Sequence, residues 1–188
     1  MRVVLISGSN VGTKTKTVAE YLKQAFAVYD SDIDVEIIDL AEVDMVFSDG
    51  RNYTEYTGDT GEIAQKIMQA DALVIGTPIF QASIPAALKN VFDILPTNAF
   101  RDKVVGMFAT AGSSKHYLVL AQQLQPIVSY MKGRVVQPYV FVESADLLRG
   151  EIVNHDVLQR LDRLVEDTVV LTQTYQKIRD EKDAAYGF

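Results

Sequence analysis

The chain has 188 residues, 48% apolar and 23% charged, with a formal net charge of −7, no Cys, no Trp and two His. Without Cys there is no disulfide framework, thiolate zinc site, iron–sulfur cluster or thiol nucleophile, and His116 and His155 leave little room for a His-rich metal site. No apolar run approaches the roughly 20 residues of a membrane span, residues 1–8 are too short an apolar stretch for a signal peptide, and the acidic balance argues against nonspecific nucleic-acid binding.

These exclusions lead us to expect a cytoplasmic protein with no metal, no membrane and no nucleic-acid partner. Length predicts a single domain over residues 1–180, followed by a frayed tail at 181–188. Charge is unevenly spread. Residues 30–62 hold 11 of the 25 acids and one base, Arg51, which leaves the remainder with 14 acids against 17 bases. The block reads either as a solvated acidic edge or as a sign that an anionic ligand binds away from it.

Residues 2–7 form a short apolar run rich in β-branched side chains, which predicts a strand buried on both faces. A loop over residues 8–13 follows. Val18, Tyr21, Leu22, Ala25 and Phe26 then recur at helical spacing. Residues 35–40 read as a second strand, and 44–60 as a long polar loop. Residues 62–70 predict a short helix and 72–76 a third strand. Ser83 is expected to cap a helix that carries Pro85 in its first turn and stops at Pro96. Residues 103–109 predict a fourth strand and 117–131 a helix kinked at Pro126. Residues 134–142 predict a fifth strand, and Asn154 caps the last helix.

Strands alternating with helices imply βαβ units and a parallel sheet. Five strands fit an α/β doubly wound, flavodoxin-like sheet of order 2-1-3-4-5 with helices on both faces. Ligands in such sheets bind beyond the carboxyl ends of the strands, at the switch point between strands 1 and 3. Three loops leave those ends, at residues 8–17, 76–83 and 110–115, and all are rich in Gly, Ser and Thr.

The first loop runs from strand to helix and carries Ser9, Thr13, Lys14, Thr15, Lys16 and Thr17. Hydroxyls, lysines and a helix start favour a phosphate. A triphosphate-binding loop would place a second Gly where Thr13 stands, and the dinucleotide G-x-G-x-x-G pattern is broken by Asn10. The second loop, with Thr77, Pro78, Ile79 and Phe80, offers backbone and one aromatic ring to a flat ligand. In the third loop, Thr110, Ala111, Gly112 and Ser113 are small enough to let a ring edge approach the backbone. Ser113 and Ser114 lack the G-x-S-x-G elbow of a hydrolase.

Four stretches carry a resemblance: the Gly8-Ser9 loop, residues 72–80, Ala86-Ala87-Leu88-Lys89-Asn90 through Pro96, and Lys103-Val104-Val105 through Gly112. Together, in this order, they resemble the NADPH-dependent FMN reductase family, and most of all the alkanesulfonate-utilisation FMN reductases. The likeness runs from residue 1 to roughly 177. It implies an NAD(P)H-dependent flavin oxidoreductase that passes a hydride from nicotinamide to flavin N5 and hands reduced flavin to an acceptor.

The cofactors implied are FMN and, as hydride donor, NADPH or NADH. Ser9 and the 14–17 region would hold the phosphate, residues 77–80 would lie along the ring and ribityl chain, and residues 110–113 would meet the pyrimidine edge. No side chain is implied as the catalytic group. Lys89 and Asp93 match positions often used at a subunit interface, which implies a homodimer or homotetramer, with a flavin-dependent monooxygenase as a further partner. This chain has Val11 where many members carry Arg, Phe80 where many carry Tyr, and Gln123 where the most similar subfamily has an aromatic residue in a bulged helix. A flavodoxin-type electron carrier, a quinone or azo reductase using bound FMN, and a flavin-free regulatory protein are the alternatives.

Overall fold

The computed structural model describes residues 1–186. Its elements are β1 (Arg2–Ser7), α1 (Lys14–Tyr29), β2 (Asp34–Asp39), α2 (Gly58–Gln69), β3 (Ala72–Pro78), α3 (Ala86–Ile94), β4 (Val104–Ala111), α4 (Gln125–Tyr130), β5 (Arg134–Val135), β6 (Val140–Glu143), β7 (Leu147–Leu148), β8 (Glu151–Ile152) and α5 (His155–Tyr186). The main sheet is parallel in the order β2-β1-β3-β4-β5, with β6 also pairing with β4.

Alternation along each strand divides the core in two. Val4 and Ile6 of β1, Leu73 and Ile75 of β3, and Val105 and Met107 of β4 pack with α2, α3 and α4. Val3, Leu5, Ala72, Val74, Val104 and Phe108 pack with α1 and α5. Both faces are covered, which is why the strands read as continuous apolar runs. Where β1 leaves the sheet, the Gly8 amide donates to the carbonyl of Gly76 in β3 at 2.8 Å.

Several local expectations need correction. The fifth strand is broken: β5 ends at Val135, the Val136 amide makes one more bond to Val105 at 2.9 Å, and pairing resumes only at Val140. Pro138 sits in the gap and has no amide to give a ladder. Ser83 does not cap α3. Pro85 is the residue before its first turn and no side chain bonds there. The helix expected over 117–131 opens with a π-helical turn, Leu120–Leu124, in which the Gln125 amide donates to the Leu120 carbonyl five residues back. That irregularity lies just before Pro126, whose missing N–H leaves the ordinary ladder incomplete.

The polar loop is shorter than expected, because α2 begins at Gly58. It is also pinned to α3: Asn90 accepts from the Ser48 amide at 2.9 Å and donates to the Val46 carbonyl at 3.0 Å. The small antiparallel hairpin β7–β8 carries no signal in the sequence reading. Asn154 caps α5 by accepting from the Asp156 amide at 3.0 Å. Residues 181–186, expected as a frayed tail, continue α5, and the rest of that tail lies outside the described residues.

Candidate flavin site

A cavity of about 430 Å³ opens at the carboxyl ends of β1, β3 and β4. Its walls come from all three expected loops: Ser9 and residues 11–15, then Pro78, Ile79 and Phe80, then Thr110, Ala111 and Gly112. This is the switch point of the sheet, where β1 has one neighbour on each side and their crossovers diverge. A larger cavity of about 560 Å³ lies behind α1, against the β7–β8 hairpin. The smaller one fits a nucleotide better, because the three loops converge on it.

Thr13 precedes the first turn of α1, and its hydroxyl caps nothing. The amides of that turn therefore lack a side-chain acceptor, and no acidic residue follows in the turn. The helix start is left with positive character at the cavity wall. Among the described residues, Lys14 is the one charged residue in the lining. Its Nζ donates to Ser144 Oγ at 2.5 Å, and Ser144 in turn donates to the Ala111 carbonyl at 3.1 Å. This relay ties the first loop to the third. Below it, the hydroxyls of Thr15 and Thr110 meet at 2.9 Å, both buried.

The second loop is built differently. Residues 80–83 close a two-residue turn: the Phe80 amide donates to the Ser83 carbonyl and the Ser83 amide to the Phe80 carbonyl, each at 3.0 Å. Gln81 and Ala82, between them, stand at φ of 50° and 58°. Left-handed backbone costs roughly 1–2 kcal/mol per non-glycine residue, and turns of this shape favour Asn-Gly. Phe80 thereby lies at the wall, 38% exposed.

Not every expected residue reaches the cavity. Lys16 is held by Glu42 and by Asp39 at 3.5 Å, both from the acidic block, and with Thr17 it lines the larger cavity instead. The bond to Glu42 raises the Lys16 ammonium above its ordinary value. Thr77 is fully buried, and its hydroxyl donates to the Pro78 carbonyl at 2.8 Å. Ser113 is extended and outside the lining. Ser9 borders the cavity with its hydroxyl turned onto the Val11 carbonyl at 2.5 Å. Lys89 and Asp93 pair with each other at 2.5 Å on the exposed side of α3.

Sequence reasoning missed Ser144, which no local motif distinguishes; Gln123, set in a bulged helix by the family resemblance, does lie in the π-helical turn. Among the described residues, no group of three or more His, Cys, Asp or Glu is arranged to hold a metal ion, and no helix is long and apolar enough to cross a membrane.

The residues fit FMN. An uncapped helix start with one lysine suits a phosphate, and an apolar wall with one aromatic ring suits a flat heterocycle. At the third loop, a side chain added at Gly112 would meet nothing within 4 Å, so the backbone there is open to a ring edge. In comparison with known proteins, the family model for NADPH-dependent FMN reductase matches residues 1–146. An NAD(P)H-dependent FAD/FMN reductase of Geobacillus thermodenitrificans is 36% identical over 170 residues, 90% of this chain and 92% of that protein.

Among solved structures, an NADH:FMN oxidoreductase (EmoB) in its apo form aligns with a TM-score of 0.72 and 29% identity, covering 88% of this chain and 86% of that one. Flavodoxin 1 of Bacillus cereus aligns at a TM-score of 0.63 and 14% identity, over 90% of this chain and 97% of that one, and shows the shared fold alone. Match and geometry agree, and the chain belongs to the NADPH-dependent FMN reductase family.

Proposed function

We propose that residues 1–180 act as a single FMN-binding unit that catalyses reduction of the flavin by NADPH or NADH. The observation that carries this reading is the cavity itself: a carboxylate-free pocket at the switch point, with an uncapped helix and Lys14 at one end and Phe80 at the other. Lys14 and the first-turn amides of α1 would hold the phosphate. Ile79 and Phe80 would border the ring, and residues 110–112 would meet its polar edge.

When bound, the flavin supplies the two-electron chemistry that the lining side chains lack. Among the described residues, no Cys, His, Asp or Glu borders the cavity, so binding, orientation and exclusion of water are what this chain contributes. The likeness to a flavodoxin supports the fold and says nothing for an electron carrier, whereas the 36% identical relative is named as a reductase.

The reading extends to assembly and location. The 89–93 stretch of α3 borders a groove of about 450 Å³ with Phe92, Pro126 and Tyr130, which supports a face used between copies of this chain, as homodimer or homotetramer. A flavin-dependent monooxygenase is the proposed acceptor of reduced flavin, and the cytoplasm the proposed compartment.

The test is an anaerobic titration with FMN followed by NADPH, read by flavin absorbance and fluorescence. A fluorescence change followed by rapid bleaching is expected. FMN binding without bleaching by NADPH or NADH would point to an electron carrier, and absence of binding would overturn the flavin reading.

A further inference from the structure

The larger cavity, about 560 Å³ between α1, α5 and the β7–β8 hairpin, has no part in the FMN reading. Its volume lies within the range of about 300–1,000 Å³ that small-molecule sites occupy. It is not separate from the flavin cavity. Thr13, the residue before α1, lines both. The second cavity therefore begins where the proposed phosphate end of the first stops, at the end opposite Phe80.

Its chemistry differs from that of the first. The ammonium of Lys16 is already taken by Glu42 and Asp39, and Glu20 and Glu151 place two more carboxylates on the lining. A terminal phosphate would be repelled there, whereas ribose hydroxyls can donate to a carboxylate. Ile152 and Leu158 supply an apolar wall for a flat base. Gln24 adds a carboxamide, which carries donor and acceptor together, the pairing that reads an adenine edge.

We propose that this cavity is an adenosine subsite, and that the site as a whole takes flavin adenine dinucleotide (FAD) as well as FMN. The ring and ribityl chain keep the place given to them above. The pyrophosphate passes Thr13, and the adenosine lies between α1 and the hairpin, with Gln24 on the base and Glu151 on the ribose. The inference rests on the flavin reading and adds to it the second half of the substrate. Adenosine also occurs in the nicotinamide donor, but the donor's nicotinamide must meet the flavin ring at the Phe80 end, and the second cavity adjoins the other. Because the two cavities are joined, the adenosine gains its contacts without a second full cost of association.

The test is titration of the parent and of Gln24→Ala/Glu151→Ala with FMN and, separately, with FAD, followed by the KM for NADH. Gln24 and Glu151 are exposed and outside the flavin cavity, so the pair removes no core packing, and circular dichroism checks its fold. The parent is expected to bind FAD at least as tightly as FMN. The pair should raise the FAD Kd about tenfold and move the FMN Kd less than about twofold.

A folded pair whose FAD Kd is unchanged, or whose FMN and FAD Kd values rise alike, overturns the proposal, as does a parent that binds FAD more weakly than FMN. An unchanged FAD Kd with a raised KM for NADH gives the cavity to the adenosine of the donor and likewise overturns it. Should the pair not fold, Gln24→Ala alone decides by the same comparison, with about a threefold rise expected for FAD. If the parent binds FMN but not FAD, this inference alone falls. If it binds neither, the flavin reading falls and this inference with it.

Discussion

At the α1 end, the cavity is bordered by donors: an uncapped helix start and Lys14, whose acceptor is the neutral Ser144 hydroxyl. At the Phe80 end it is bordered by backbone held in conformations its side chains do not favour, tied down from a neighbouring helix. On the proposed reading the first end holds the phosphate by charge, and a phosphate accepts bonds from many directions. The second would present a surface of fixed shape to a flat ring. The proposed site would thus divide electrostatic and steric recognition between two loops of one cavity, and each should respond to a different perturbation.

The largest expected effect is at the charged end. Lys14→Ala removes a charge-assisted contact of about 1.5–3 kcal/mol, so the FMN Kd should rise about 10- to 150-fold. The salt dependence of binding should weaken with it. A shift under about threefold in a fluorescence titration would break the assignment of this end to the phosphate. Thr15→Val strands the buried Thr110 hydroxyl and should lower unfolding stability by about 1–3 kcal/mol. The double variant Thr15→Val/Thr110→Val should recover most of that loss in urea unfolding, because no buried group is then left unpaired.

At the other end, Phe80→Ala should weaken FMN by about three- to tenfold, the scale of an aromatic contact, with the salt dependence intact. Parallel titrations at low and high salt would show whether the two ends differ as described. Lys16→Ala sharpens the contrast from outside the cavity. Its partner Glu42 lies at the surface but Asp39, 3.5 Å from its Nζ, is buried, so FMN affinity should move less than about twofold while the stranded Asp39 carboxylate lowers stability by about 1–3 kcal/mol.

The smallest effect is one of pH. Tyr21 bridges α1 to α5 by donating to Asp162 at 2.7 Å, and burial, aided by that carboxylate, raises its pKa from 10 to about 12. The folded value lies above the unfolded one, so this contribution is complete below pH 10 and fades as pH rises through about 12. Urea unfolding across that window should show the decline, and Tyr21→Phe should flatten it.

The sheet order and the three loops were legible because βαβ alternation, buried strands and polar loop composition are local signals. What was not legible depended on contacts distant in the chain. Lys14 and Lys16 look equivalent in sequence, two residues apart beside the same hydroxyls. Only the fold brings Asp39 and Glu42 to Lys16 and Ser144 to Lys14. Pro138 was visible, but the continuous apolar pattern around it outweighed its missing amide and hid the break in the fifth strand. The π turn left no signal in the apolar spacing, and only the family resemblance marked Gln123 as lying in a bulged helix. Ser83 has the right residue type for a cap, yet its hydroxyl is engaged by Gln123.

Gly8 and Gly76 meet where β1 leaves the sheet beside β3, and they stand differently towards change over generations. A methyl group added at Gly76 would lie 2.1 Å from the Phe108 ring, a side chain that a second substitution can shrink. One added at Gly8 would lie 2.6 Å from the Gly76 carbonyl oxygen, and no substitution removes a backbone oxygen. A lineage can leave glycine at 76 by exchanging Phe108 for a smaller residue along the way. At position 8 every such route is closed.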